Sequence, residues 1–190
     1  MCKFLKKISL LGHFWTHFHI KTQDIIRELN FLVQDSLKSA KANQTRILFS
    51  KKHRLDIEVA NVINKAESFV FFAQLDFAIE EISNALTEAI KRGVKVCGII
   101  ERRMAIRNPQ REFIKNLCNA GANIVVSEEQ PGWMHLKILI TEKEAISGSY
   151  NWTKEATFDN EEILEIFNDN KTRWQLLEIF NEVFSKHKNV

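Results

Sequence analysis

From residue 46 onward, short apolar runs alternate with amphipathic stretches of roughly a dozen residues, a pattern that belongs to layered α/β proteins. Apolar runs at 46–49, 68–73, 94–100 and 123–127 read as strands. The run 68–73, Ser-Phe-Val-Phe-Phe-Ala, is apolar on both faces and is expected to be buried on both. Between these runs, apolar side chains recur at helical spacing over 55–66, 79–90 and 111–120. Gly93 and Gly121 stand where the second and third of these helices must stop. Two runs at hairpin spacing, 134–140 and 144–147, follow, then a strand at 163–167 and a closing amphipathic helix over 172–184. The expected fold is α/β: a mixed, mostly parallel β-sheet flanked by helices on both faces.

The first 44 residues are a separate matter. Ile25, Ile26, Leu29, Leu32, Val33 and Leu37 predict a helix from residue 24 to about 42, capped by Thr22 or Asp24. The stretch Lys41-Ala42-Asn43-Gln44 breaks the pattern. The boundaries expected are therefore an N-terminal helical extension, 1–44, and a main domain, 45–190. Lys3, Lys6 and Lys7 ahead of Ile8-Ser9-Leu10-Leu11 have the order of a secretory leader. His13, His17 and His19 interrupt the apolar run, so an appended helix or arm is expected instead. Those three histidines are read as packing or surface groups rather than metal ligands.

Composition narrows the function classes. A chain of 190 residues with 45% apolar and 27% charged side chains can bury one real core and is not disordered. A net charge of +3 permits an anionic substrate without demanding one. No apolar run approaches the roughly 20 residues of a membrane span, so no stable span is expected. Cys2, Cys97 and Cys118 show no CxxC spacing. Cys97 and Cys118, among apolar neighbours, are expected to be buried thiols, which fits a reducing compartment and a cytoplasmic location.

Chemistry concentrates in two segments. In Met134-His135-Leu136-Lys137-Ile138, a histidine and a lysine two residues apart project to one face of a strand, with Leu136 and Ile138 directed to the other. In Gly148-Ser149-Tyr150-Asn151-Trp152-Thr153, Ser149 and Asn151 share a face in the same way. An imidazole, a cation, a hydroxyl and an amide suit a phosphate: three donors for its non-bridging oxygens and a nitrogen nucleophile for phosphorus.

The pair of segments resembles the phospholipase D superfamily signature, H-x-K-x4-D followed by G-S-x-N-x-T. Here it stands as His135-x-Lys137-x4-Glu142 and Gly148-Ser149-x-Asn151-x-Thr153, with Glu142 where the family usually has Asp. The flanks resemble the family too: Ile47-Leu48-Phe49-Ser50, the passage from Ala85-Leu86 through Ala89 to Arg92-Gly93-Val94-Lys95-Val96, Ala120-Gly121-Ala122, and Asn160-Glu161-Glu162. The resemblance covers roughly residues 45 to 185. It implies a phosphodiesterase in which His135 attacks phosphorus, Lys137 and Asn151 hold the non-bridging oxygens, Ser149 and Glu142 support, and Glu162 orients His135. It implies no cofactor and no metal, lysine taking the neutralising role. The chain has one such motif, so the second histidine that the scheme requires has to come from a homodimer. Small single-motif relatives have this layout, and many are nucleases, which makes nucleic acid, DNA or RNA, the expected substrate. The alternatives are a phospholipid phosphodiesterase, and a nucleic-acid-binding module whose site is weakened by Glu142.

Other residues have two readings each. Glu142 is either a supporting acid or a turn residue, and Glu161 competes with Glu162. Trp133 is either a stacking surface for a base or a core or rim residue. The runs Lys51-Lys52-His53-Arg54 and Arg102-Arg103-x3-Arg107 are either solvated faces or tracks for a nucleic-acid backbone.

Overall fold

The computed structural model describes residues 45–128 and 131–187. The expected helix at 24–42, Cys2 and the three N-terminal histidines lie outside those residues. Seven strands form one sheet in the order β1-β7-β6-β5-β2-β3-β4. They are β1 (Arg46–Phe49), β2 (Phe69–Gln74), β3 (Lys95–Ile100), β4 (Asn123–Val126), β5 (Lys137–Thr141), β6 (Ala145–Gly148) and β7 (Ile163–Phe167). The helices among the described residues are α1 (Leu55–Asn64), α2 (Glu80–Lys91), α3 (Arg102–Ala105), α4 (Gln110–Ala120), α5 (Lys154–Phe158) and α6 (Asn170–Lys186).

The mixed sheet expected from the alternation is present, and its register refines the word parallel. β2-β3-β4 pair in parallel, while β1-β7, β7-β6, β6-β5 and β5-β2 pair antiparallel. Only β5 and β7 run against the other five strands. Each lies between two strands of the opposite direction, so antiparallel contacts outnumber parallel ones even though most strands share a direction. The cause is local: the short turn between β5 and β6 allows reversal, whereas the helical crossovers through α2 and α4 return the chain to a parallel neighbour.

The period of two along β2 explains the layers. Val70 and Phe72 join the core formed with Leu55, Val59 and Ile63 of α1, Ile82 and Leu86 of α2 and Leu117 of α4. Phe71 points the other way and stacks on Phe180 of α6, ring centroids 5.2 Å apart. Helices therefore cover both faces, as an all-apolar strand requires. Acidic Glu80 and Glu81 open α2 and Lys91 closes it, matching the helix dipole. Gly93 and Gly121 both take positive φ at the ends of α2 and α4. Asp169 caps α6 by accepting from the Thr172 N–H at 2.8 Å. Cys97 and Cys118 are half-buried rather than buried.

Candidate active site

The register brings the ends of the strands to one edge. Gln74 closes β2, Ile100 closes β3, Val126 closes β4 and Gly148 closes β6, while Lys137 opens β5 and Ile163 opens β7. This is the carboxyl edge of the parallel strands, where open α/β sheets bind ligands. His135, Ser149, Asn151 and Glu162 all lie within three residues of these strand ends.

One expectation about the strand needs correction. β5 begins at Lys137, so His135 sits on the irregular segment leading into the strand. The His/Lys proximity survives: Lys137 Nζ is 3.2 Å from His135 Nδ1 and donates to the His135 carbonyl at 3.0 Å. Burial lowers the Lys137 pKa from its ordinary value, and the Glu162 carboxylate opposes that shift. Leu139, next on the same face as Lys137, is fully buried in the core, so the lysine stem enters the site from packed strand.

The second segment is held by alternation. Tyr150 and Trp152 are both 1% exposed, while Ser149 is exposed and Asn151 is half-buried. Trp152 packs on Phe72 and Phe77 at 5.2 and 5.3 Å, and its N–H donates to the Asp76 carbonyl at 3.1 Å. Gly148 has φ of +150°, and a Cβ there would meet the Ile163 carbonyl oxygen at 2.2 Å. The motif glycine is thus required by the close approach of β7. Thr153 caps α5 by accepting from the Ala156 N–H at 3.2 Å, which gives the motif threonine a structural task.

Ser149 Oγ donates to Glu162 Oε2 and accepts from the Ile163 N–H at 3.1 Å. Asn160 Nδ2 donates to Glu162 Oε1 at 3.3 Å. Ser50, just beyond β1, donates to the Asn160 carbonyl at 2.8 Å and accepts from the Glu162 N–H at 2.9 Å. Glu162 is 8% exposed and Glu161 is exposed, so of the two it is Glu162 that lies in the cluster. The hydrogen bonds to its carboxylate come from Ser149 and Asn160; the imidazole Nδ1 faces Lys137.

Glu142 is elsewhere. It follows the far end of β5, about 17 Å from Lys137 at ~3.3 Å per residue. Its carboxylate accepts from the backbone N–H groups of Glu67, Ser68 and Phe69 at 2.8, 3.3 and 3.4 Å. The structure therefore brings together His135, Lys137, Ser149 and Glu162 on one edge with Asn151 beside them, and leaves Glu142 as an anchor for the turn into β2.

Several residues of this edge were not singled out from sequence. Glu101, directly after β3, is 3% exposed; it accepts from the Met134 N–H at 2.8 Å and from Ser127 Oγ at 3.0 Å. It thereby pins the residue before His135 to the ends of β3 and β4. Gln74 lies opposite Lys137 in the ladder, and its buried Oε1, like Asn151 Oδ1, has no hydrogen-bond partner among the described residues. Asp76 carries a carboxyl whose pKa is raised, mainly by burial with Glu155 adding, against the Phe77 N–H and Arg107. The period-two pattern could have flagged Gln74 as a polar residue ending an apolar strand.

The family model described as cardiolipin synthase, PLD-like domain, matches residues 59–184, well over half of the chain. The chain belongs to the phospholipase D superfamily. Two curated relatives are similar to it: phospholipase D of Rickettsia conorii and of Rickettsia felis, each 32% identical over 114 residues. The match covers 58% of this chain and 54% of each relative, so the chain spans about half the length of the curated relatives it matches. Among solved structures, the phospholipase D family member Nuc from Salmonella typhimurium superposes with a TM-score of 0.71 at 23% identity, over 76% of this chain and 95% of that one. NucT from Helicobacter pylori gives 0.70 at 20% identity, over 76% and 97%. The archaeal chromatin protein TrmBL2 gives 0.59 at 15% identity, over 92% of this chain and 65% of that one. These likenesses show the superfamily fold. Among the described residues no helix is long and apolar enough to cross a membrane.

Proposed function

We propose that this superfamily member is a metal-independent phosphodiesterase, an endonuclease of DNA or RNA that works as a homodimer through a phosphohistidine. The observation that carries the reading is the His135 imidazole 3.2 Å from the buried Lys137 ammonium, on the edge that also holds Ser149, Asn151 and Glu162.

In the first step His135 Nε2 forms a bond to phosphorus as the bond to the leaving oxygen breaks. The same histidine of a second copy, starting as imidazolium, gives its proton to that oxygen. In the second step water attacks phosphorus, its proton returns to the second histidine, and the phosphorus–nitrogen bond breaks. Lys137 and the Asn151 amide hold the non-bridging oxygens, so charge developing on them meets donors already in place. While Lys137 donates to Nδ1, the ring carries its proton on Nε2. Attack needs the proton on Nδ1, and a phosphate that takes over the Lys137 donors frees Nδ1 to receive it.

The other described histidines are engaged elsewhere: His53 Nδ1 accepts from the Phe49 N–H at 3.3 Å, and His187 Nδ1 accepts from the Glu128 N–H at 3.1 Å. This favours a second chain as the source of the second histidine. Phe158 and Ile163, 53% and 48% exposed on either side of Glu162, give that edge apolar surface for a second copy. The nucleic-acid substrate is supported by the single-motif layout and by the shared fold of TrmBL2, whose structure shows a novel mode of DNA binding.

The curated relatives carry the name phospholipase D, which favours a phospholipid as the second reading. The weakened binding module rested on Glu142, and the position of Glu142 away from the edge leaves that reading without support.

The test is cleavage of labelled single-stranded DNA, duplex DNA and RNA in excess EDTA, beside hydrolysis of phospholipid vesicles, with His135→Ala protein as control. Oligonucleotide cleavage by the wild-type dimer only is the expected result. Vesicle hydrolysis alone, or full activity from a monomer, overturns it.

A further inference from the structure

Trp133 stands two positions before His135, and two residues of chain span no more than about 7 Å. The alternation is regular here: Met134 is 4% exposed, while Trp133 and His135 lie outside it. Trp133 keeps 48% of its surface open, unusual for the largest apolar side chain. One side of its ring is already occupied. The Arg103 guanidinium lies 4.4 Å from the ring centroid.

This arrangement is built from below. The buried Glu101 carboxylate accepts from the Arg103 N–H at 3.3 Å, stands 4.0 Å from Arg103 Nε, and accepts from the Met134 N–H at 2.8 Å. One carboxylate therefore holds the backbone on the motif side of Trp133 and the arginine that backs its ring. Arg102 and Arg107, both exposed, flank the same short helix. An aromatic ring with a cation on one face and about half of its surface open, beside a short helix that also carries exposed Arg102, matches what unpaired bases bind: a stacking surface inside a cationic surround.

We infer that Trp133, backed by Arg103, is a stacking subsite for an unpaired base next to the scissile phosphate, which makes single-stranded nucleic acid the preferred substrate class. The inference rests on the nucleic-acid reading of the His135 site and adds the strandedness. A base in a duplex has both faces covered by its neighbours and cannot use the ring; a base in a single strand can. The subsite recognises a π-face, so it discriminates strandedness and not sequence.

The experiment uses the full chain and labelled oligonucleotides, single-stranded and duplex, with KM and kcat measured separately. Trp133→Ala should raise KM for the single strand about 5- to 150-fold, the range of base–aromatic stacking. It should leave kcat within about threefold and leave duplex cleavage unaltered, while Trp133→Phe restores most of the single-strand KM. An oligonucleotide lacking the base beside the cleaved phosphate should cost the wild type the same factor and cost Trp133→Ala nothing further. Binding of the single strand to His135→Ala protein, followed by anisotropy, reads the subsite without turnover and should weaken by the same factor when Trp133→Ala is added. Unchanged KM in Trp133→Ala with cleavage intact overturns the subsite alone. Absence of any oligonucleotide cleavage by wild type overturns the nuclease reading instead. Trp133-dependent partition onto phosphatidylglycerol vesicles without an effect on oligonucleotides overturns the stacking role by making the ring a lipid contact.

Discussion

At one end of β5 the Glu142 carboxylate accepts three backbone N–H groups, and the neighbouring turn is tied down further by the Glu142 carbonyl accepting from Arg173 Nη1. At the other end His135 is exposed, and two buried amide oxygens, Gln74 Oε1 and Asn151 Oδ1, have no partner among the described residues. A buried polar group left without a partner costs about 1–3 kcal/mol. The Glu142 end, although Arg173 Nε there is also buried without a partner among the described residues, therefore serves stability. The opposite end keeps polar groups desolvated and without partners beside an exposed imidazole, which is the condition of a site rather than of an anchor. Both ends bear acids of the motif region, and their surroundings differ: backbone N–H groups hold Glu142, side chains of the edge hold Glu162.

Substitutions can break or sharpen this contrast. The largest effect is expected from His135→Ala: a loss of at least about a thousandfold in kcat, because both the nucleophile and the proton donor disappear. Thermal unfolding of this variant should match the wild type, since the side chain is exposed; a lowered melting point would give His135 a structural role instead. Lys137→Met should cost about a hundredfold to a thousandfold in kcat, the size of losing one preorganised charge donor, measured on the same oligonucleotides. Asn151→Leu removes the amide donor to the phosphate, so it should lower kcat about tenfold or more; it also removes an unpaired buried oxygen, so unfolding in urea should be unchanged or shifted towards stability. If it destabilised the fold as strongly as an anchor does, the contrast would collapse at that position.

Glu142→Ala should show the reverse pattern. Unfolding free energy should fall by about 1–3 kcal/mol as three backbone N–H groups lose their acceptor, with kcat unchanged within about threefold. A kcat loss as large as that of Lys137→Met would place Glu142 in the chemistry after all. The smallest effect is one of pH. Burial lowers the Lys137 pKa, so the alkaline fall in rate should begin below the ~10.4 of a free lysine. Between the lowered value and ~10.4 the unfolded chain binds more protons than the folded one, so this group makes stability rise with pH across that window. Lys137→Arg, charged at every accessible pH, should remove the alkaline fall; a limb that stays in place would assign it to another group.

Much of this architecture is legible in the sequence because burial writes it there. The both-faced apolar run at 68–73, the helical spacing in α1, α2 and α4, and Gly93 and Gly121 each report a local physical demand. The site is legible where the demand is also local: Ser149 and Asn151 alternate with buried Tyr150 and Trp152 within a few residues. What the sequence hides is set by distant partners. Glu101 sits in the string Ile100-Glu101-Arg102-Arg103, which reads as a basic surface; its tie to Met134 crosses 33 positions. The start of β5 at Lys137 depends on Gln74 across the ladder. The one-turn helices α3 and α5 are too short to show a period. Glu142 is hidden in another way: a motif records spacing along the chain, and a residue one strand-length beyond Lys137 lands on the opposite rim of the sheet.

Glu101 also has a bearing on how such a chain tolerates change. Its carboxylate holds Ser127 at the exit of β4 and Met134 at the entry to the motif. The exit of β4 and the entry to the motif thus hang from a common peg, and loss of that one carboxylate would loosen both.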